Sequence, residues 1–136
     1  MTDRLPSRPD SENEVVRAHP EAPAQDFNYV KIRRYMAYLE QSLDSGTQWA
    51  VFEPNGEALW ARIRTTVTDL LTNEWRSGKL QGATAEQAFF VRCDQSTMTQ
   101  NDLDNGRLNI VVGVALVKPA EFVTLNIGQW TADHRP

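Results

Sequence analysis

The stretch that decides the fold class is "RLNIVVGVALV", residues 107–117, an apolar run with the alternation of a β-strand. Successive side chains of a strand point to opposite faces. One face therefore carries five aliphatic residues: Leu108, Ile110, Val112, Val114 and Leu116. The second face is apolar as well, with Val111, Ala115 and Val117. A strand that is apolar on both faces is typical of a sheet covered on both sides.

Three shorter strands are predicted around this one. The residues Phe89–Cys93 and Phe122–Ile127 are rich in β-branched and aromatic side chains, and the second carries Val123, Leu125 and Ile127 on one side. Asn105-Gly106 indicates a turn before the long strand, and Lys118-Pro119 ends it. The run Trp49–Phe52 predicts a short buried strand that stops at Pro54, because proline has no N–H for a ladder.

Two helices are predicted from apolar spacing. The first carries a stripe at i, i+3, i+4, i+7 and i+11 and ends near Gly46; its residues are Ile32, Tyr35, Met36, Leu39 and Leu43. The second runs from about Gly56 to Arg76, with Asn55 as N-cap and Gly78 as stop; its apolar face is Leu59, Ile63, Val67, Leu70 and Leu71. We expect an α+β fold, a small mixed sheet with two helices packed on one face.

Composition predicts one domain with an arm. The chain has 136 residues, a net charge of −4 and one cysteine, which argues against a nucleic-acid binder and for a reducing compartment. We see neither a signal peptide nor an apolar run long enough to span a membrane. Residues 1–26 are polar and proline-rich and predict an extended N-terminal arm, while 27–136 form the domain. Seven residues are assigned to the core: Trp49, Phe52, Leu59, Trp60, Ile63, Phe89 and Phe90.

Candidate catalytic and ligand-binding residues are few. Cys93 lies within a strand and is interpreted as a buried structural thiol, and His19 and His134 have no fixed partner. "NDLDNG" at 101–106 resembles a calcium loop, but with Gly106 in the sixth position the third is Leu103 and the twelfth is Val112, which do not coordinate. No phosphate-binding glycine motif is found. We therefore predict no catalytic residue, no metal site and no cofactor, which disfavours an enzyme.

Several separate blocks of the sequence resemble one known family. They are "GTQWAVFEPNGEALW" at 46–60, "LQGATAEQAFFVRCD" at 80–94, "DNGRL" at 104–108 and "VGVALVKPAEFV" at 112–123. In this order they are similar to the C-terminal domain of contractile phage tail sheath proteins, over about residues 28–130. Members of that family are usually several times longer than this chain.

The resemblance implies a structural subunit of a sheath that surrounds a tail tube and contracts to drive it through a target envelope. The implied partners are copies of the chain in stacked rings, a tail tube protein, and baseplate and tail terminator components, without nucleic acid or membrane. The implied location is a virion tail or a contractile injection particle that is assembled in the bacterial cytoplasm.

The resemblance also implies surfaces for assembly. Terminal arms would complete the sheet of neighbouring subunits by adding strands; the candidate residues are Val15, Val16, Leu108, Ile110, Val112, Phe122, Val123, Leu125 and Ile127. Charged residues of the first helix and of the region around the "LQGAT" loop are candidates to face the tube: Lys31, Arg33, Arg34, Glu40, Asp44, Lys79 and Glu86.

Alternatives remain open for each of these points. Phe122–Ile127 can pair with Leu108–Leu116 of its own chain as a hairpin, and the charged residues can form a simply solvated face. The chain can also be a non-polymerising adaptor or terminator-like module that binds the end of a sheath or tube, or a small enzyme of unknown reaction.

Overall fold

The structure, a computed structural model, describes residues 23–134, with side chains from residue 29 onward. Four α-helices lie in this range: α1 (Pro23–Gly46), α2 (Glu57–Arg76), α3 (Ala85–Ala88) and α4 (Gln100–Asp104). Three strands follow the first two helices: β1 (Phe89–Arg92), β2 (Arg107–Ala115) and β3 (Phe122–Trp130). Two 3-10 helices span Gln48–Phe52 and Gln95–Thr97. The residues fall into two units, one ending at Met36 and one beginning at Ala37, and the fold described below is that of the second.

The fold is α+β, as predicted, and its three strands form one small sheet in the order β1-β2-β3. β2 pairs with β3 from Arg107↔Trp130 to Ala115↔Phe122 and with β1 from Phe89↔Val114 to Arg92↔Val111. Both pairings are antiparallel, so the sheet is fully antiparallel, and the prediction of a mixed sheet is wrong. The short connection at 116–121 explains this for β3, because a parallel pair requires a crossover of about a dozen residues or more.

The core lies between the helices and one face of the sheet. The alternating residues predicted for β2 are fully buried there: Leu108, Ile110, Val112 and Val114. α2 packs against β1 and buries the predicted face, namely Leu59, Ile63, Val67 and Leu71, with Leu70 half-buried. From α1, Leu39 and Leu43 are fully buried. The helical spacings and the strand alternation in the sequence are therefore confirmed.

The predicted strand Trp49–Phe52 is wrong, because this stretch is a 3-10 helix. The backbone N–H of Ala50 bonds to the carbonyl of Thr47, and that of Glu53 bonds to Ala50, so local bonds replace a ladder. The consequence for the core is large: Phe52 is 80% exposed, and Val51 is 45% exposed. Of the other aromatic residues assigned to the core, Trp49 and Phe90 are half-buried, while Trp60 and Phe89 are buried.

The predicted N-cap of α2 is also wrong. Gly56 occupies the cap position without a side-chain bond. Asn55 is used elsewhere: its Oδ1 accepts from the Trp60 indole N–H at 2.8 Å, and its Nδ2 donates to the Arg107 carbonyl at 3.3 Å. The amide thus joins the start of α2 to the start of β2, a tertiary role that capping statistics do not predict.

The start of α1 and the end of β2 differ from the predicted bounds, and the turn before β2 agrees with the prediction. α1 begins at Pro23, so residues 23–26 of the predicted arm are helical. β2 stops at Ala115, so Leu116 of the first predicted face is only half-buried, and Val117, predicted to be covered on the second face, is 66% exposed. The turn at Asn105-Gly106 is confirmed, and Gly106 has a φ of +72° there. A side chain at this glycine would meet the backbone of Asp133 and His134.

Candidate assembly surfaces

The longest free strand edge in the described part of the sheet belongs to β3. β3 pairs with β2 on one side and has no described strand on the other. A groove of about 370 Å³ runs along this edge, lined by Asn126, Ile127 and Gly128 of β3. Because three consecutive residues line it, the groove follows the strand's edge and not one of its faces. The opposite wall is the C-terminal half of α1, with Ala37, Glu40, Gln41 and Asp44.

A buried amide closes one end of this groove. Gln129 is 8% exposed, and its Nε2 donates to the Asp44 carbonyl at 2.8 Å and to the Asp44 Oδ1 at 3.0 Å. The same nitrogen lies 2.9 Å from the hydroxyl of Thr47, which donates to the Leu43 carbonyl at 2.8 Å. These bonds tie the end of β3 to the end of α1 across 85 positions of sequence. The distance between the groove's two walls is therefore set at this point.

The residues predicted for strand exchange fall into three groups. Val15 and Val16 lie outside the described residues. Leu108, Ile110 and Val112 belong to the central strand. Phe122, Val123, Leu125 and Ile127 lie on β3, which pairs with β2 of the same chain as a hairpin. The hairpin alternative is thus what the chain forms by itself, and exchange with a neighbouring copy stays a prediction.

The residues predicted to face a tube are exposed on the helices and loops that carry them. On α1 these are Lys31, Arg33, Arg34 and Glu40, whereas Asp44 is half-buried. The guanidinium of Arg33 lies 5.6 Å from the centre of the Tyr29 ring. Lys79 and Glu86 are exposed before and within α3. Exposure is compatible with a contact and with a solvated face alike, so both interpretations remain.

The sheet face opposite the core carries an arrangement that sequence reasoning missed. The Phe90 ring lies against Gly113, where a Cβ would come within 2.1 Å of the ring, and it meets Phe122 edge-on at 5.2 Å. Farther along, the Arg107 guanidinium stacks 4.8 Å from the Trp130 ring. A glycine inside a strand often marks such a close approach, and this was the available signal at Gly113.

The described residues offer little reactive chemistry. Cys93 is fully buried as predicted, and burial raises the pKa of its thiol to about 12, so it is not a nucleophile near neutral pH. His134 lies on Trp130, with 3.9 Å between ring centres, and its Nδ1 is 3.2 Å from the Asn105 carbonyl. No group of three acidic, histidine or cysteine side chains able to hold a metal occurs in the described range. Nor does any helix there have the length and apolarity needed to cross a membrane.

Solved structures share this fold. A chain in the cryo-EM structure of the anti-feeding prophage (AFP) baseplate matches with a TM-score of 0.60 and 40% identity, over 69% of this chain and 26% of that one. A chain of an extracellular contractile injection system, the PVC sheath complex in the contracted state, matches with a TM-score of 0.59 and 37% identity, over 69% and 27%. The contracted AFP helical sheath matches with a TM-score of 0.57 and 40% identity, over 69% and 27%.

The present chain thus covers about a quarter of the length of each of those chains. None of the curated proteins compared with the chain matches it significantly. The family model for the phage tail sheath C-terminal domain matches residues 22–129, which include every described helix and all but the last residue of β3. By this match over most of its length, the chain belongs to the phage tail sheath C-terminal domain family.

Proposed function

We propose that the chain is a structural subunit of a contractile tail sheath, which surrounds a tail tube and contracts to drive it through a target envelope. The observation that carries this proposal is the family match over residues 22–129. The similarity to chains of two contracted sheaths, at 37% and 40% identity, supports a polymerising role over an adaptor. The partners would be copies of the chain in stacked rings, a tube protein, and baseplate and terminator components. The particle would be assembled in the bacterial cytoplasm.

The subunits would be linked by strand addition at the edge of β3. An exposed edge presents unpaired N–H and C=O groups, which are a template for another strand. Backbone bonds would supply affinity, and the groove beside Asn126, Ile127 and Gly128 would select side chains. The donor would be the segment around Val15 and Val16 of a neighbour. Alternatively, β3 of a neighbour would replace the chain's own β3, and its Phe122, Val123, Leu125 and Ile127 would then pack beside Leu108, Ile110 and Val112.

Contraction needs no catalysis in this proposal. Arm exchange is heterologous, so it propagates through a lattice while rigid domains rotate between two packings. The driving free energy would come from new contacts between subunits, and no catalytic residue is required. The tube would be held weakly through exposed charges such as Arg33, Arg34 and Glu40, since exposed ion pairs contribute only about 0–1 kcal/mol each.

Electron microscopy of the purified protein, with and without a tube protein, tests the proposal. We expect tubes or stacked rings. A protein that remains monomeric at high concentration under both conditions would contradict a sheath subunit. A protein that only caps tube ends would support the adaptor.

The arm is tested by a deletion that stops at residue 22, because α1 begins at Pro23. We expect the shortened chain to fold and to lose assembly. Val15→Ser with Val16→Ser should reproduce this loss. Leu5→Ser, at the other large aliphatic residue before α1, is the matched control and should not. Unchanged assembly after the deletion would exclude the arm as a strand donor.

A further inference from the structure

Two adjacent apolar residues, Val51 and Phe52, are exposed at the end of the 3-10 helix between α1 and α2 and are called the knob below. Phe52 is 80% exposed and its neighbour Val51 is 45% exposed, with exposed Pro54 close by. Single exposed apolar residues are ordinary on protein surfaces. An exposed phenylalanine offers more apolar area than most single residues, because burying its side chain removes about 150–250 Å² from water. Val51 and Phe52 together are thus a candidate surface for contact with another protein chain.

The knob is held in place by bonds on both sides. The Glu53 N–H donates to the Ala50 carbonyl at 3.0 Å, and the Glu53 carbonyl accepts from the Ala132 N–H at 2.9 Å. The Asn55 N–H donates to the Asp133 carboxylate at 3.1 Å. The backbone at Phe52 is therefore fixed against the residues that follow β3. A preorganised side chain loses less entropy on binding than a mobile one.

A second apolar patch lies at the opposite end of β3. Val117 is 66% exposed just after β2, and Val123 is 44% exposed near the start of β3. The knob adjoins Ala132, beyond the other end of the same strand. The seven residue-to-residue steps from Val123 to Trp130 span about 23 Å at 3.3 Å each. The two patches thus mark the two ends of one hairpin.

We propose that Phe52 of one copy packs onto Val117 and Val123 of the next copy, head to tail. This inference rests on the proposed function, since it needs copies in a lattice. A head-to-tail contact between two different patches is heterologous and repeats along an assembly, unless two copies pair reciprocally so that each patch meets the other patch of the same partner. A symmetric contact would need both patches on one side of the hairpin.

The charges around the two patches suit this contact. Near the knob, Glu53 is paired with Arg62 at 3.4 Å and Glu57 with Arg64 at 2.8 Å. The exposed carboxylate of Asp133 accepts from the Asn55 N–H and has no ion pair with another of the residues that the structure describes. At the other end, exposed Lys118 directly follows Val117, and Glu121 lies three residues farther on. Lys118 of one copy can therefore lie beside Asp133 of the next.

The contact is too small to hold two copies together alone. A phenylalanine and three valines bury a few hundred Å² at most, whereas stable interfaces bury about 1,200 Å² or more. It acts only together with other contacts of the lattice, where linkage raises the effective concentration. A weak contact of this kind is one that subunits can break and remake during rearrangement.

Cysteine cross-linking in assembled protein tests this geometry. F52C and V117C are made as separate chains of different mass, mixed before assembly and treated with a short bismaleimide. The native Cys93 is fully buried and does not compete for the reagent. We expect F52C–V117C heterodimers, few homodimers of either variant, and a ladder of multimers from the F52C/V117C double variant. T65C, on an exposed position of α2, replaces F52C in the matched control and should give no such product.

Each outcome decides the proposal. F52C homodimers in place of heterodimers, or an F52C/V117C double variant that stops at dimers instead of giving a ladder, would show a symmetric contact and overturn it. Assemblies visible by microscopy without F52C–V117C products would overturn it while leaving the sheath proposal intact. Failure of the wild-type protein to assemble would overturn both. Phe52→Ser should raise the concentration needed for assembly by about tenfold, since each 1.4 kcal/mol of lost contact is a factor of ten, while Thr65→Ser should not.

Discussion

Replacing Gln129 by methionine removes the amide that joins β3 to α1 without removing its bulk. Nε2 has two hydrogens and three acceptors within 3.0 Å, namely the Asp44 carbonyl, the Asp44 carboxylate and the Thr47 hydroxyl. Thr47 is 1% exposed, so water does not readily take the place of the amide. Leaving buried groups unsatisfied costs about 1–3 kcal/mol. We therefore expect Gln129→Met to lower the free energy of unfolding by about that amount.

The chain contains its own control for this prediction. Gln48 donates from its Nε2 to the other carboxylate oxygen of Asp44, at 3.2 Å, but this bond is exposed. Gln48→Met makes the same chemical change, and water replaces the lost bond, so its cost should stay within about 0.5 kcal/mol. Thr47→Val combined with Gln129→Met should cost less than the sum of the two single changes, because the residues share a bond.

Urea unfolding, followed by tryptophan fluorescence, measures all four variants against the wild type. Near this chain length, each kcal/mol lowers the melting temperature by about 3–5 °C, which gives a second readout. Equal urea midpoints for Gln129→Met and Gln48→Met would refute the reasoning, since burial is the difference between them. A small cost for both would mean that the groove's end admits water.

Three further outcomes are expected. Gly113→Ala should cost about 1–3 kcal/mol, measured by urea unfolding, because its Cβ would overlap the Phe90 ring; an unchanged midpoint would contradict the packing. Cys93 should resist iodoacetamide in the native state and react on unfolding, because burial raises its pKa to about 12. The pKa of Asp102 lies below its ordinary 3.8, chiefly because the Thr99 N–H donates to it. Its stabilisation is therefore present above pH 3.8 and lost as pH falls, so Asp102→Asn should lower unfolding midpoints at pH 7 and much less near pH 2.

Periodic patterns in the sequence predict most of this fold. The errors arise where local backbone hydrogen bonds take the place of the predicted strand ladder. The spacing of Leu59, Ile63 and Val67 predicts a helix because one continuous face is buried, and the alternation along 107–115 predicts a strand for the same reason. The residues that were misread lie in short connections. In the stretch 48–52, i→i+3 bonds satisfy the backbone locally, and five residues are too few for periodicity to distinguish a strand from a helical turn.

The assembly surfaces were less predictable because they depend on residues far apart in sequence. The groove beside β3 needs α1 and β3 in one place, and the bond from Gln129 to Asp44 spans 85 positions. The alternation of Val123, Leu125 and Ile127 was visible, but which of β3's edges would be free was not. A single sequence indicates which residues are apolar on a face, and the pairing order decides which edge is open.

Phe52 is the residue at which local pattern and tertiary structure disagree most, and this disagreement has functional content. A natural sequence is expected to agree with its fold at every level except where function demands otherwise. Leu59 and Trp60, in the same stretch of sequence, are buried as their apolar character predicts, whereas Phe52 stays exposed beside Glu53, whose carbonyl accepts from the Ala132 N–H just after β3. Folding gains nothing from an aromatic ring at this place, because a serine would satisfy the same backbone bonds. A lattice of copies does gain from it, if the ring meets the apolar end of the next hairpin. The higher concentration that Phe52→Ser is expected to need for assembly, with the unfolding midpoint unchanged, separates these two roles.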